Sequence, residues 1–220
     1  MKFIMAYSDG KDCTLALDRM IRQGHEPVAL YTTVSSKGIN FNHFIRREVY
    51  QAYEECLGVP VIFCATRGYH NESDIHGGLR EAIGAYGAAA VCTGDIFDRD
   101  VFAWNRRMAE QLGVELVCPL WNEPQEKLIG EVLDRGYRFL IKSVRTDYLG
   151  EEYLGKEVTR ELVSEFRQKG IDVCGENGEY HSITVDGPVF RKPLAVQWQD
   201  ILRSKGIATC DVLLRDGADD

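Results

Sequence analysis

The first two thirds of the chain alternate short apolar runs with longer amphipathic runs, a pattern that few folds can accommodate. The apolar runs predict strands over residues 3–7, 28–34, 61–66, 88–93, 114–120 and 139–144. In the intervening runs apolar residues recur at helical spacing, as at Cys13, Ala16, Leu17, Met20 and Ile21. Strands that alternate with helices in this way predict a parallel α/β sheet.

The pattern changes after about residue 147, where predicted strands dominate. One helix is predicted over residues 158–168, and short strand-like runs are predicted at residues 171–174, 182–185, 189–190 and 210–214. We therefore predict two regions, an α/β domain over residues 1–146 and a smaller α+β region over residues 147–220.

Composition excludes several classes of protein. Hydrophobic residues make up 45% of the 220 residues, which is enough for a core and excludes intrinsic disorder. The balance of 26 basic against 34 acidic residues gives a net charge of −8, which disfavours non-specific nucleic-acid binding. No apolar stretch approaches the roughly 18 residues of a membrane span, and the N terminus does not resemble a signal peptide. The seven cysteines show no C-x-x-C spacing, so we expect reduced thiols and a cytoplasmic protein.

Ligands of parallel α/β sheets bind beyond the carboxyl ends of the strands. The segments that leave those ends are rich in polar residues and glycine at residues 8–13, 35–43, 67–73, 94–107 and 121–123. Solvated turns have a similar composition. We nevertheless expect these five segments to converge on one edge of the sheet and to form a binding site there.

The strongest single feature is the hexapeptide S-D-G-K-D-C at residues 8–13, between the first strand and the first helix. A helix N terminus offers unpaired N–H groups and a positive dipole end, which suit an anion. Gly10 allows close approach of the backbone, and Lys11 supplies a cation. The segment is not a Walker A loop, because Met5 stands where that loop requires glycine. An ordinary strand–helix turn remains an equal alternative on composition alone.

The hexapeptide resembles the S-G-G-K-D-S loop of the PP-loop, or N-type, ATP pyrophosphatases. Residues 174–181, C-G-E-N-G-E-Y-H, and the V-D-G-P that follows at residues 185–188 are similar to the C-G-E-G-G-E-Y/F and V/L-D-x-P segments of the diphthine–ammonia ligase family. Further similarities, in order and spacing, are G-D-I at residues 94–96, Arg106, P-L-W at 119–121, I-K at 141–142 and L-G-K at 154–156. The resemblance covers nearly the whole chain.

This resemblance implies a Rossmann-like, adenine nucleotide α-hydrolase-like domain with a smaller substrate-binding region at the C terminus. It also implies a ligase that uses ATP and Mg²⁺. Transfer of AMP to a carboxylate would release pyrophosphate, and ammonia would then displace AMP to give an amide. The acceptor of the family is diphthine, a modified histidine on elongation factor 2. A homo-oligomer is compatible with the family.

The family motifs also imply the roles of individual residues. Lys11 and Asp12 are the catalytic candidates. The nucleotide-binding candidates are Ser8, Asp9, Gly10, Lys11, Asp12, Cys13, Thr33, Gly94, Asp95 and Arg106. The candidates for the acceptor pocket are Trp121, Glu176, Asn177, Glu179, Tyr180 and His181. Carboxylates there would suit a cationic substrate or ammonium, and aromatic rings would suit a trimethylammonium group. The histidines show no metal-ligand spacing, and no metal site is assigned to them.

Plainer interpretations of the same residues stay open. Residues 175–181 also have the composition of a β-hairpin turn with solvated glutamates. Trp121 also fits core packing, and Arg106 also fits a charged helix face.

Two residues of the hexapeptide differ from the family loop. Asp9 replaces a glycine; aspartate adopts left-handed backbone better than most residues, so we expect the turn to form. A carboxylate about 4 Å from a phosphate would cost roughly 1–4 kcal/mol, so the Asp9 side chain must point away, bind the metal or weaken ATP binding. Cys13 replaces a serine, and a thiol is a weak hydrogen-bond donor. Its place at a helix N terminus predicts a lowered thiol pKa.

These two differences favour an alternative, a non-catalytic nucleotide-binding or sensor protein with a degenerate loop. A second alternative is a PP-loop enzyme that modifies tRNA. The net charge of −8 counts against that second alternative.

Overall fold

The computed structural model describes residues 1–40, 44–67 and 71–215. Within these residues the strands are β1 Lys2–Ala6, β2 Glu26–Val34, β3 Val61–Ala65, β4 Ala90–Cys92, β5 Glu115–Val117, β6 Arg138–Arg145, β7 Tyr180–Asp186, β8 Val196–Ser204 and β9 Ile207–Leu214. The helices are α1 Lys11–Arg22, α2 Arg47–Leu57, α3 Glu72–Tyr86, α4 Arg99–Leu112, α5 Gln125–Asp134 and α6 Arg160–Gln168, with one 3₁₀ turn at Glu151–Tyr153.

The first five strands form one parallel sheet in the order β3-β2-β1-β4-β5. The remaining four form a second, antiparallel sheet in the order β7-β6-β9-β8. The predicted class, an α/β Rossmann-like sheet with a smaller α+β region, is confirmed. In the parallel sheet β2 and β3 are added on one side of β1, and β4 and β5 are then added on its other side. A crevice therefore opens at the carboxyl end of β1, where strand order reverses.

The strand predicted over residues 139–144 exists, but its assignment to the parallel sheet was wrong. It is β6, and it lies between β7 and β9 in the antiparallel sheet. A central strand is apolar in either kind of sheet, so the residues of β6 could not indicate which sheet it joins. The proposed division at residue 146 falls after this strand.

Two of the short strand-like runs are not strands. Residues 171–174 and 189–190 lie in turns, where Ile171 and Val173 are buried and Val189 and Phe190 pack against the core. These apolar residues serve packing rather than strand pairing. Conversely, β8 was not predicted, because it is an edge strand with a bulge between Trp198 and Ile201 that breaks the alternation of its side chains.

The two sheets share one core. Helices α1 and α2 lie between them, since α1 contacts β7 and α2 contacts β9. A single apolar cluster joins Phe3 of β1 and Leu15 of α1 to Tyr53 of α2 and Phe139 of β6. The other face of the parallel sheet packs on α3 and α4 in a second cluster. The C-terminal sheet is thereby held against the carboxyl end of β1.

Among the described residues no helix has the length and apolar character needed to cross a membrane.

Candidate active site

A cavity of about 640 Å³ lies beyond the carboxyl ends of β1, β2 and β4. Its walls come from both parts of the chain: residues 8, 10–13 and 93–95 from the parallel-sheet part, and residues 174–176 and 180–182 from the C-terminal part. Of the five segments predicted to converge, residues 121–123 and the described residues of segment 67–73 do not line the cavity. Residues 41–43 and 68–70, within two of these five segments, lie outside the described residues.

The floor of the cavity is the turn between β1 and α1. Gly10 is the N-cap of α1 and, having no side chain, does not cap the helix itself. Of its first N–H groups, that of Lys11 donates to Ser182 Oγ, and those of Asp12 and Cys13 are left for a ligand. Gly94 packs directly on this turn, because a Cβ added to it would lie 2.7 Å from the Cys13 nitrogen. Such a close approach of two backbones makes a narrow cradle of N–H groups that suits an anion.

Lys11 is 4% exposed and is one of the residues that line the cavity. Its Nζ donates to Asp12 Oδ2 at 2.7 Å and to the Cys174 carbonyl at 2.5 Å, and it lies 5.5 Å from the centre of the Tyr180 ring. Burial alone would lower the pKa of this ammonium, but the Asp12 carboxylate raises it well above its usual range. The cavity therefore has a permanent positive charge beside the helix N terminus.

The turn is also held by the C-terminal sheet. The Thr184 N–H of β7 donates to the Asp9 carbonyl at 2.8 Å, and the Lys11 N–H donates to Ser182 Oγ at 3.2 Å. Because β7 is an edge strand, its outer N–H groups are free to bond this turn instead of another strand.

Asp9 has a left-handed backbone, with φ at 68°, as expected for an aspartate in a glycine position. It is fully buried and, unlike the other five residues of the hexapeptide, does not line the cavity. Of the three arrangements considered for its carboxylate, the structure agrees with the one in which it points away from the cavity.

Cys13 lines the cavity, but the expectation of a lowered thiol pKa was wrong. Burial raises the pKa of Cys13 to about 12, and the nearby Ser8 hydroxyl lowers it only in part. The thiol donates to the Gly10 carbonyl at 3.1 Å and accepts from Ser8 Oγ at 3.5 Å. Cys13 is thus neutral and does not repel an anion.

One end of the cavity contains Thr33, Gly94 and Asp95. Asp95 accepts from Thr93 Oγ1 at 2.8 Å and from Asn105 Nδ2 at 2.7 Å. Burial raises the pKa of its carboxyl group, although both hydrogen bonds lower it. These contacts fix the carboxylate at the cavity wall.

The same end has an apolar wall that sequence analysis missed. It is formed by Tyr31 of β2, Ile75 and Leu79 of α3, and Val101 and Trp104 of α4. The only signal available was the helical spacing of the residues in α3 and α4. This spacing predicts that one face of each helix is buried, and it does not show that the face borders a cavity. An apolar wall next to a polar cradle is typical of sites for small molecules.

The other end contains Glu176, Tyr180 and His181. Burial raises the pKa of Glu176 to about 7, and the neighbouring Asp12 carboxylate adds to the increase. Tyr180 is fixed, because its hydroxyl donates to the Val173 carbonyl at 2.7 Å. Glu176 is therefore a carboxyl group that can take up or release a proton near neutral pH.

Besides Asp9, four predicted site residues do not line the cavity. Arg106 is 62% exposed and pairs with Glu110 on the outer face of α4. Trp121 stacks on Phe102, with ring centres 4.2 Å apart. Glu179 is buried and accepts from the backbone and side-chain nitrogens of Asn177, so these two residues brace their own turn. In the structure Arg106 thus forms a surface ion pair, Trp121 packs against Phe102, and Asn177 and Glu179 support their loop.

The raised pKa of Glu176 predicts a pH-dependent stability. The folded state binds the proton of the Glu176 carboxyl group more tightly than the unfolded state does. The stability that Glu176 contributes is therefore fully present below pH 4.5 and is lost as the pH rises through about 7. Glu176→Gln should abolish this fall. Relative to wild type, the free energy of unfolding of the variant should increase by about 1–3 kcal/mol between pH 5 and pH 8. Denaturant titrations at both pH values measure this, with exposed Glu115→Gln as the control. An equal difference at the two pH values would contradict the prediction.

Comparison with family models identifies the chain. The model described as the diphthamide synthase N-terminal domain matches residues 1–116, and the model described as the diphthamide synthase C-terminal domain matches residues 124–212. The chain belongs to the diphthamide synthase family. The second match begins at residue 124, before β6, which is the first strand of the C-terminal sheet along the chain.

Curated relatives carry the name diphthine–ammonia ligase. The protein of Schizosaccharomyces pombe is 23% identical over 96% of this chain, which spans 38% of that relative. The mouse protein is 24% identical over 89% of this chain, which covers 83% of the mouse protein. The human protein is 22% identical over 92% of this chain and 85% of its own length.

One solved structure is also similar, the crystal structure of a predicted subunit of tRNA methyltransferase from Methanocaldococcus jannaschii. Its TM-score is 0.46 at 14% identity, with 88% of this chain and 99% of that chain covered.

Proposed function

We propose that this member of the diphthamide synthase family is an ATP-dependent ligase that joins ammonia to a carboxylate as an amide. Diphthine, named in its curated relatives, is the proposed acceptor. One observation carries the proposal: a buried lysine and the N terminus of α1 face one cavity that also contains Glu176, whose pKa is raised to about 7.

The turn at residues 8–13 is suited to the phosphates of ATP. The N–H groups at the start of α1 and the ammonium of Lys11 would stabilise the negative charge that grows on departing pyrophosphate. Both are already in place before the ligand arrives, because Lys11 is held by Asp12 and the Cys174 carbonyl. The apolar wall formed by α3 and α4 would then receive the base.

The cavity also fits a magnesium ion bound together with phosphates. Asp12 Oδ1 is buried without a hydrogen-bond partner among the described residues, and a carboxylate oxygen is a preferred ligand of Mg²⁺. Asp12 would thus hold the metal, which would neutralise phosphate charge when bound.

The opposite end of the cavity is suited to the acceptor and ammonia. Ammonium must lose a proton before its nitrogen can attack an activated carboxylate. Glu176, with a pKa of about 7, is ionised in part of the molecules at neutral pH and would accept that proton. The Tyr180 ring, which is held in place beside it, would contact a cationic group of the substrate.

Release of pyrophosphate tests the proposal. The chain is incubated with ATP, Mg²⁺ and ammonium, with and without elongation factor 2 that carries diphthine. Other carboxylates serve as further acceptors. Pyrophosphate and AMP should form in equal amounts only when an acceptor carboxylate is present. ATP binding with no release under any of these conditions would instead support the sensor alternative.

The structure offers less support than the sequence did for the alternative of a non-catalytic sensor protein. Asp9 does not enter the cavity, and Cys13 is neutral, so neither places negative charge against the phosphates.

A further inference from the structure

The carboxylate of Asp95 uses one of its two oxygens for contacts within the protein. Asp95 Oδ2 accepts from Thr93 Oγ1 at 2.8 Å and from Asn105 Nδ2 at 2.7 Å. No described residue donates to the other oxygen, Oδ1, and Asp95 lines the cavity. A carboxylate accepts hydrogen bonds on both oxygens, so Oδ1 is left to accept from a ligand.

The two donors that hold Oδ2 come from different elements of the fold. The Thr93 hydroxyl follows β4 directly and has a single proton, which it donates to Asp95. Its 3.1 Å contact with Cys118 is therefore a hydrogen bond from the thiol, whose pKa burial raises to about 11. The Asn105 amide belongs to α4. The carboxylate is thus fixed both to the end of β4 and to the helix beside the cavity.

Asp95 lies between the two parts of the cavity that the proposed function assigns to ATP. On one side, Gly94 packs on the first turn of α1, where an added Cβ would lie 2.7 Å from a backbone nitrogen. On the other side, Asn105 directly follows Trp104, which is part of the apolar wall. The free oxygen of Asp95 is therefore placed between the phosphate-binding turn and the wall proposed to receive the base.

This order matches the order of groups in a nucleoside triphosphate. The ribose joins the phosphates to the base, and its two hydroxyl groups are hydrogen-bond donors. A hydrogen bond from a hydroxyl group to a carboxylate oxygen is stronger than one between neutral groups. Phosphates at residues 8–13 and a base against α4 would bring the ribose to Asp95 Oδ1.

We infer that Asn105 is a positioning residue that holds the Asp95 carboxylate so that Oδ1 accepts a hydrogen bond from a ribose hydroxyl. The pair would make the cavity select ribonucleotides over deoxyribonucleotides. The inference rests on the proposed function, because it takes ATP as the ligand. Without the Asn105 amide, the carboxylate would be free to rotate about its side-chain torsion, and Oδ1 would lose its fixed direction.

Binding of nucleotides that lack one hydroxyl group tests the inference on the unaltered chain. Calorimetry in the presence of Mg²⁺ compares ATP with 2′-deoxy-ATP and 3′-deoxy-ATP. Wild type should bind ATP at least about tenfold more tightly than one of the two deoxynucleotides, because a hydrogen bond to a charged group is lost. Equal affinities for all three nucleotides would overturn the inference, and this comparison does not depend on the folding of any variant.

Substitutions then separate positioning from a merely structural role. Asp95→Ala should reduce the preference for ATP to less than about threefold. Asn105→Ala should reduce the preference by at least about threefold, and so should Asn105→Asp, which keeps the size of the side chain and removes the donor. Exposed Gln111→Ala, on the same helix, should keep the wild-type preference.

The ratio of affinities is the decisive quantity. If Asn105 only stabilised α4, or if Asp95 only bound Mg²⁺, their variants would weaken binding of all three nucleotides equally and leave the wild-type preference unchanged. Either result would overturn the inference. Circular dichroism reports whether each variant is folded, and Asn105→Asp provides the measurement if Asn105→Ala does not fold.

The proposed function and this inference fail in different ways. Acceptor-dependent release of pyrophosphate, together with equal affinities for the three nucleotides, would refute the inference alone. A preference for ATP without release of pyrophosphate would refute the ligase activity and uphold the inference. A chain that binds none of the three nucleotides would refute both.

Discussion

Replacing Lys11 by alanine should reduce pyrophosphate release by a factor of about 10²–10³ while the chain stays folded. The reason is electrostatic. Lys11 is the buried cation at the start of α1, and its Nζ holds Asp12 Oδ2 at 2.7 Å. Its removal deletes a positive charge from the cavity and also leaves the Asp12 carboxylate uncompensated beside the phosphates. Both changes oppose the growth of negative charge on the leaving group.

Steady-state rates of pyrophosphate release measure the effect, and circular dichroism reports whether the fold persists. Lys127→Ala is the matched control, because Lys127 is 62% exposed on α5 and pairs only with Glu123 among the described residues. Its rate should equal that of wild type. Unchanged turnover in Lys11→Ala would remove the proposed role of this lysine.

Gly94→Ala should abolish detectable nucleotide binding, a loss of at least about 100-fold, and should destabilise the chain by about 1–3 kcal/mol. The new Cβ would lie 2.7 Å from the Cys13 nitrogen and 2.9 Å from the Asp12 carbonyl carbon. Both neighbours are backbone atoms in the first turn of α1, so no side chain can rotate away. The helix start must shift, and the cradle of N–H groups shifts with it.

Gly84→Ala is the appropriate control for this substitution. Gly84 lies within α3, and no atom lies within 4 Å of the position of its Cβ. Alanine there should stabilise the chain by about 0.5–1 kcal/mol, because it has the higher helix propensity. Nucleotide affinity is compared by calorimetry in both variants. A Gly94→Ala protein that binds ATP like wild type would show that the two backbones are not closely packed.

The parallel sheet could be predicted because its signals are local. Apolar runs such as residues 3–7 alternate with stripes at helical spacing, and glycines such as Gly58, Gly87 and Gly113 end α2, α3 and α4 with left-handed backbone. Each signal depends on neighbours within one turn or one strand, so sequence periodicity reveals it.

The C-terminal sheet was harder to predict because its strands pair across long intervals. Strand β6 joins β9 about 60 residues later in the sequence, and nothing in the apolar residues of β6 identifies a partner. Strand β8 was missed because a bulge at an exposed edge interrupts its pattern.

The sequence predicted the turn between β1 and α1 at residues 8–13, but it did not predict the fine arrangement of the side chains around that turn. Glycine and lysine after a first strand mark a turn, but they do not show that Asp9, alone in the hexapeptide, stays out of the cavity lining. Similarly, Glu176 and Glu179 are three residues apart in one motif, yet Glu176 lines the cavity and Glu179 bonds Asn177. Residue type alone could not separate these two roles.

The edge of β7 that bonds the β1–α1 turn makes the two halves of this chain thermodynamically interdependent. Under the proposed function, a molecule that rigidified the cavity wall at β7 would also rigidify the turn proposed to bind nucleotide, through the Thr184 and Ser182 hydrogen bonds. Linkage requires the influence to be mutual and equal in size. Substrates of such a chain would therefore bind cooperatively, with no subunit contact or domain movement needed to transmit the effect.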